Sequence, residues 1–337
     1  MLKKIFLFIL MIIIAVAAFA AYEFWRWQSS PVVMSEDKVD IRIPRGSSVK
    51  NVADILESKG IKTNPLIFTW YARYTGQAQQ LKAGAYAIKK GQTGIDIITM
   101  IANGDVSRRS ILFVEGWTYK QIRQAVAKHP DIQQTLVNTD EATLMKSLGV
   151  PSEYPSMEGL LFPDTYVFAP GDSDIDILRQ AYESGKKRLM AHWNSRSEGL
   201  PLKSPYEALI LASIVEKETG HGEDRDRVAG VFVNRLKIKM PLQTDPTVIY
   251  GMGDKYQGRI RKVDLQTDTP WNTYTRNGLP PTPIASPGEL ALKATLHPEE
   301  HKFLYFVARG DGTSEFAENL AQHNRNVQQY ILKKGKP

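Results

Sequence analysis

The sequence predicts an α+β fold: a single N-terminal transmembrane helix, a region of short strand–helix units, and a larger, mostly helical region with a small sheet. Three observations carry this. An uninterrupted apolar run occupies Ile5–Tyr22. A strand–turn–helix unit recurs three times between residues 39 and 122. Further on, Ala208–Val215 is apolar on every side except Ser213, which marks a helix buried in a domain interior.

The apolar run is 18 residues long, and at a helical rise of about 1.5 Å per residue it reaches roughly 27 Å, close to the hydrocarbon thickness of a bilayer. Lys3 and Lys4 precede it, and Tyr22, Phe24, Trp25 and Trp27 stand at its far end with Arg26 among them. Basic residues before the span and an aromatic belt after it place the N-terminus in the cytoplasm and the rest of the chain outside. A cleaved signal peptide with Ala18-Phe19-Ala20 at its cut site is the alternative. The run is longer than a typical apolar signal segment, and bulky aromatics crowd its exit. Both readings export the rest of the chain.

The net charge is +7, with 23% charged residues and no cysteine. Disulfides, thiolate nucleophiles and cysteine-based metal sites are excluded. The positive charge suits anionic lipid or cell wall. It is too weak and dispersed for nucleic acid, and no basic run is interleaved with aromatics.

Residues 1–28 are read as cytoplasmic tip and anchor, 29–38 as a polar linker, 39–149 as the region of small units and 150–337 as the second region. The three units are Val39–Ile43 with Gly46-Ser47-Ser48, Ala85–Ile88 with Gly91-Gln92-Thr93, and Ile111–Val114 with Gly116-Trp117-Thr118. Glycine makes the strand-to-helix turn, and the hydroxyl caps the new helix. The aliphatic residue four places on (Val52, Ile97, Ile122) is the first to face the core. A first helix, Val49–Lys59, ends at Gly60, and another starts at Asn64-Pro65. Units of this kind resemble LysM-like glycan-binding modules; a structural stalk that binds nothing is the alternative.

In the second region a helix over about 174–197 leads to Ser204–Gly220. Ser204 caps, Pro205 takes the first position and Glu207 completes a capping box. A helix over about 224–236 comes next. Pro241–Gly288 is rich in Pro, Gly, Thr, Tyr and Asn with little periodicity, a length of irregular chain that points to function. A hairpin, Phe303–Val307 with a turn at Arg309–Gly312, and a C-terminal helix close the chain.

Glu216 and Glu218 stand at the end of the buried helix and face roughly opposite ways at about 100° per residue. Glu218 continues the more apolar stripe of Leu211, Ile214 and Val215, so burial should raise its pKa more and suit it to donate a proton near neutral pH. From the residues alone, a solvated helix end is the competing reading. His297-Pro-Glu-Glu-His301 fits a zinc pattern, but Pro298 prevents one helix from carrying both histidines. No metal or other cofactor is expected.

Four segments carry a resemblance over nearly the whole chain. They are Glu158-Gly-Leu-Leu-Phe-Pro-Asp164-Thr-Tyr166, Ala212-Ser-Ile-Val-Glu-Lys-Glu218-Thr219, Leu242-Gln-Thr-Asp-Pro-Thr-Val-Ile-Tyr250-Gly251, and Asn272-Thr-Tyr274 with Gly278-Leu-Pro-Pro281. Together they are similar to the endolytic murein transglycosylases, the YceG-like family. The resemblance implies a lytic cut between MurNAc and GlcNAc of peptidoglycan that leaves 1,6-anhydroMurNAc ends, with Glu218 as the acid/base. Gln243, Thr244, Asp245, Tyr250, Asn272, Tyr274 and Glu158 are candidates to contact substrate, with turn formation as the alternative for the loop residues. Glu158 and Asp164 either shape the cleft or cap local backbone. A hydrolytic muramidase using Asp245 or Glu158 to activate water, and a non-enzymatic wall-binding scaffold, are the rival functions. The implied location is the inner membrane with the catalytic part in the periplasm, where synthases that polymerise glycan strands would be neighbours.

Overall fold

A computed structural model describes residues 2–218 and 224–332. The chain divides into two compact units, one of Met1–Ser110 with Val167–Asp172, the other of Ile111–Tyr166 with Ser173–Pro337. The boundary expected near residue 150 falls inside the second unit. The architecture is α+β, with many helices and three two-stranded sheets among the described residues.

The first unit begins with helix α1 (Leu2–Ser29), which continues through the aromatic belt. It is long and apolar enough to cross a membrane. Strand β1 (Lys38–Ile43) pairs antiparallel with β2 (Gly84–Lys89), Lys38 opposite Lys89 and Ile43 opposite Gly84. Between them lie α2 (Val49–Ser58) and α3 (Pro65–Tyr74), and α4 (Gly94–Asn103) comes after β2. The core joins Ile41, Leu56, Phe68, Tyr86 and Ile98.

The local rules of the sequence hold here. Ser48 accepts from the Asn51 N–H, Thr93 forms a full capping box with Asp96, and Asn64 Oδ1 accepts from the Leu66 and Ile67 N–H groups. Gly46 and Gly91 take positive φ at the turns, and Val52, Ile97 and Ile122 are fully buried. Residues 29–38, expected as a linker, are tied down instead. Val32 and Met34 are buried, the Val32 N–H donates to Gln92 O at 2.8 Å, and Val33 bridges Lys62. Two apolar side chains in a polar stretch were enough to anchor it. Arg42 holds the returning segment through Gly171 O (2.7 Å) and Asp172 (3.1 Å).

The third copy of the repeat behaves differently. Strand β3 (Arg109–Leu112) pairs with β4 (Thr165–Phe168), and the helix that Thr118 caps, α5 (Tyr119–Lys128), belongs to the second unit. That unit continues with α6 (Glu141–Leu148), α7 (Asp174–Asn194), α8 (Pro205–Glu218) and α9 (Arg225–Lys237). Then come α10 (Asp245–Met252), α11 (Lys262–Gln266), α12 (Glu289–Leu296), the antiparallel hairpin β5 (Tyr305–Ala308) and β6 (Ser314–Ala317), and α13 (Leu320–Val327). Two short helices thus interrupt the stretch expected to be irregular, α10 opening with Asp245-Pro246. Helix α8 is the hub: α7, α9, α10 and α12 all pack on it. The expected end of its pattern at Gly220 lies outside the described residues.

Candidate active site

Helix α8 aims its C-terminal carboxylates. Ser204 Oγ accepts the Glu207 N–H at 3.2 Å while Glu207 takes the Lys203 N–H at 2.6 Å, which starts the helix. Ala208–Val215 is buried throughout. Ser213, its one polar member, donates to Ile210 O (2.7 Å) and accepts the Ile284 N–H (3.0 Å), so a hydroxyl inside the core is satisfied on both sides.

Glu218 is half-buried at the end of this helix. Its Oε1 accepts the hydroxyl of Thr244. A threonine group fixes that donor. The Thr244 N–H donates to Thr273 Oγ1 (3.1 Å), Thr273 Oγ1 meets Thr247 Oγ1 (2.9 Å), and Thr247 Oγ1 donates to Thr244 O (2.7 Å). The Gln243 N–H reaches Thr273 O at 3.1 Å. Gln243 itself sits at φ 48°, a left-handed backbone costly for a non-glycine residue and held by these bonds.

Burial pushes the Glu218 carboxyl above the ordinary glutamate range. The Thr244 hydroxyl opposes this, the nearby Asp245 charge adds to it, and the Arg235 cation opposes it. Arg235 is buried on α9, donating to Leu304 O (2.7 Å) and Leu242 O (2.7 Å) with its guanidinium 5.2 Å from the Tyr305 ring centroid. Asp245 is exposed and accepts the Tyr274 hydroxyl at 2.6 Å. A carboxyl that holds its proton to higher pH, beside a fixed donor and a buried cation, is equipped to give a proton and then carry the charge.

A second group lies further along α10. Glu158 is 5% exposed; its Oε1 accepts the Tyr119 N–H (2.9 Å) and its Oε2 the Tyr250 hydroxyl (3.0 Å). Burial pushes its pKa up to about 7 against those two donors. Tyr250 meets the edge of Trp271 at 5.4 Å, and the Trp271 Nε1–H donates to Thr282 (2.9 Å).

The structure therefore gathers Glu218, Thr244, Asp245 and Tyr274 into one group, with exposed Gln243 beside them. Glu158 and Tyr250 bond to each other in the second group. Asn272, expected among substrate contacts, is fully buried. Its Nδ2 donates to the carbonyls of Leu265 (3.1 Å) and Thr267 (2.7 Å), and its Oδ1 accepts the Tyr274 N–H (2.9 Å), so it closes the loop that presents Tyr274. Asp164 caps the Thr165 N–H at 2.7 Å and lies 3.6 Å from Arg188. Glu216 faces away from the threonine group and accepts the Gly288 N–H at 3.0 Å; burial raises its pKa too.

Sequence reasoning missed Arg235, Thr247 and Thr273. An arginine within the apolar helix Val228–Leu236 was the available signal for the first. The two threonines looked like ordinary loop and helix residues. His297 sits just past the end of α12, and His301 faces the Arg227 carbonyl at 2.8 Å, so one helix does not carry both histidines.

The model of the YceG-like family matches residues 41–329. The chain belongs to the YceG-like family. A Bacillus subtilis protein named endolytic murein transglycosylase is 34% identical over 317 residues, covering 89% of this chain and 87% of that one. A Streptococcus pneumoniae protein of the same name is 31% identical over 335 residues, covering 89% of this chain and 60% of its own. The crystal structure of a yceG-like protein from Listeria monocytogenes matches with a TM-score of 0.55 and 31% identity, covering 87% of this chain and all of that one.

Proposed function

We propose that this member of the YceG-like family is an endolytic murein transglycosylase, with Glu218 as its single acid/base. The observation that carries the reading is Glu218 itself: a carboxyl with a raised pKa at the mouth of an apolar helix, bonded to a fixed hydroxyl. The names of the relatives supply the substrate class.

In the first step the protonated Glu218 gives its proton to the glycosidic oxygen as the MurNAc–GlcNAc bond breaks. The sugar's own 2-acetamido group meets the oxocarbenium-like centre, so one protein carboxylate suffices. Glu218, now charged and facing Arg235, takes the proton of the C6 hydroxyl. The C6 oxygen closes on C1 as the acetamido oxygen leaves it, which restores the acetamide and forms a 1,6-anhydro ring. Tyr274 and Asp245 border the reacting group, with Gln243 exposed to meet hydroxyl or N-acetyl groups. A hydrolytic reaction would need a base for water. Glu158 has both oxygens occupied and Asp245 holds Tyr274, which favours the lytic route.

The helix α1 anchors the chain in the inner membrane with its N-terminus in the cytoplasm and the chain that follows it in the periplasm, near the enzymes that polymerise glycan. The β1–α2–α3–β2 segment is the LysM-like part and the candidate for holding a strand. The test is mass spectrometry of peptidoglycan digested by the detergent-solubilised chain beside Glu218→Gln. Products ending in 1,6-anhydroMurNAc, absent with the variant, are expected. Reducing ends would refute the lytic route, and equal cleavage by the variant would refute the role of Glu218.

A further inference from the structure

Helix α3 has two apolar faces. One, with Phe68 and Ala72, is buried in the core of the first unit. The other carries Leu66, Trp70 and Tyr74, each four residues after the last, which are 81%, 54% and 76% exposed. Spacing by four keeps all three on one side of a helix. An aqueous setting gives such a stripe no return for the order it imposes, and stripes of this kind mark interaction surfaces.

The neighbours of this face decide what covers it. Phe24 of α1 packs edge-on against Trp70 (5.7 Å between centroids) and stacks with Tyr71 (6.2 Å). The Trp27 Nε1–H donates to Thr63 Oγ1 at 2.9 Å, just ahead of α3, and Trp27 meets Phe68 edge-on. An apolar groove of about 440 Å³ runs between the two helices, lined by Ala20, Ala21, Phe24, Leu66, Ile67 and Trp70. Ala20 and Ala21 belong to the apolar run that ends at Tyr22. Whatever surrounds them must also reach Leu66 and Ile67. The groove offers a sugar no hydrogen-bonding side chain apart from the indole of Trp70. Exposed Arg26 and Arg73 stand at the same ends of α1 and α3, where lipid phosphates would lie.

We propose that α3 is an interfacial helix, lying in the headgroup layer of the bilayer that α1 crosses, with Leu66, Trp70 and Tyr74 turned toward lipid. This rests on the reading of α1 as a membrane span. It makes the first unit a body seated on the membrane surface through two elements. Trp70 and Tyr74, stacked 5.1 Å apart, take the interfacial position that such rings favour.

The chain has no cysteine, so one introduced thiol labels one place. Leu66→Cys and Tyr74→Cys are labelled with an environment-sensitive fluorophore in the full chain and reconstituted in phosphatidylcholine–phosphatidylglycerol vesicles. Val16→Cys on α1 and Lys50→Cys on α2 are the references. Nitroxide lipids should quench positions 66 and 74 several-fold more than position 50, and aqueous iodide should quench them several-fold less. Quenching at 16 by lipid but at 66 and 74 only by iodide would overturn the proposal while leaving the anchor intact. Shielding of 66 and 74 from both quenchers would also overturn it, because a protein or glycan would then cover the face. Absence of lipid quenching at 16 would overturn both readings.

Discussion

Replacing Glu158 by Gln should remove a measurable pH dependence of stability. Glu158 is 5% exposed and its pKa stands at about 7 instead of 4.5, with burial the largest cause. The folded state therefore binds this proton more tightly than the unfolded state does. The stability contributed by the neutral acid is fully present below pH 4.5 and is lost as the pH rises through about 7. The interval from 4.5 to about 7, at about 1.4 kcal/mol per unit, corresponds to about 3 kcal/mol. Gln keeps an oxygen for the Tyr119 N–H and offers an amide to the Tyr250 oxygen, and it does not ionise. The assay is denaturant unfolding of wild type and variant at pH 5 and pH 8. The variant should gain on the wild type by about 2.5 kcal/mol between the two, since the unfolded carboxyl is already mostly ionised at pH 5, with other titrating groups cancelling in the comparison. A difference between the proteins that does not change with pH would refute the claim that burial holds this carboxyl neutral.

Two substitutions should move the alkaline limb of the cleavage pH profile in opposite directions. Thr244→Val removes a donor to the Glu218 carboxylate, a hydrogen bond that holds the carboxyl's pKa down, so the limb should rise. Asp245→Asn removes a neighbouring negative charge and should lower it by a fraction of a unit, less because Asp245 is exposed. Coincident profiles would show that another group titrates. Arg235→Met should cost about 3 kcal/mol or more, since the carbonyls of Leu242 and Leu304 lose a buried charged donor, and Arg235→Lys should not restore them both; thermal unfolding measures this. Asn272→Ala should lower stability by about 2–4 kcal/mol through orphaned loop carbonyls. A variant of wild-type stability with a raised KM would instead make Asn272 a substrate contact.

Local rules were legible in the sequence because they depend on neighbours along the chain. Ser48, Asn64, Thr93 and Thr118 cap the helices expected of them, and the buried helix carries Glu216 and Glu218 in its last described turn. What stayed hidden depends on partners far away. Nothing near Ile111 says that its strand will pair with β4 and not with the other two copies of the repeat. Val32 and Met34 lie in a polar stretch whose composition outweighed them. Helix α10 is short, and its proline reads as a breaker until the residue before it is seen as a helix start. Arg235 acts on Glu218 only because α9 packs on α8, and Asn272 turned inward because three backbone carbonyls converge on its amide.

Helix α8 presses against four other helices, and Glu218 is its last described residue. The protein thus has no boundary between its fold and its reaction geometry. With Glu218 as the proposed acid/base, a mutation that loosens Leu211, earlier on α8, disturbs the same rod that carries that carboxyl. Such changes should register as lost turnover before they register as lost folding, and selection for a faster site would be confined to the loops that face the rod's end.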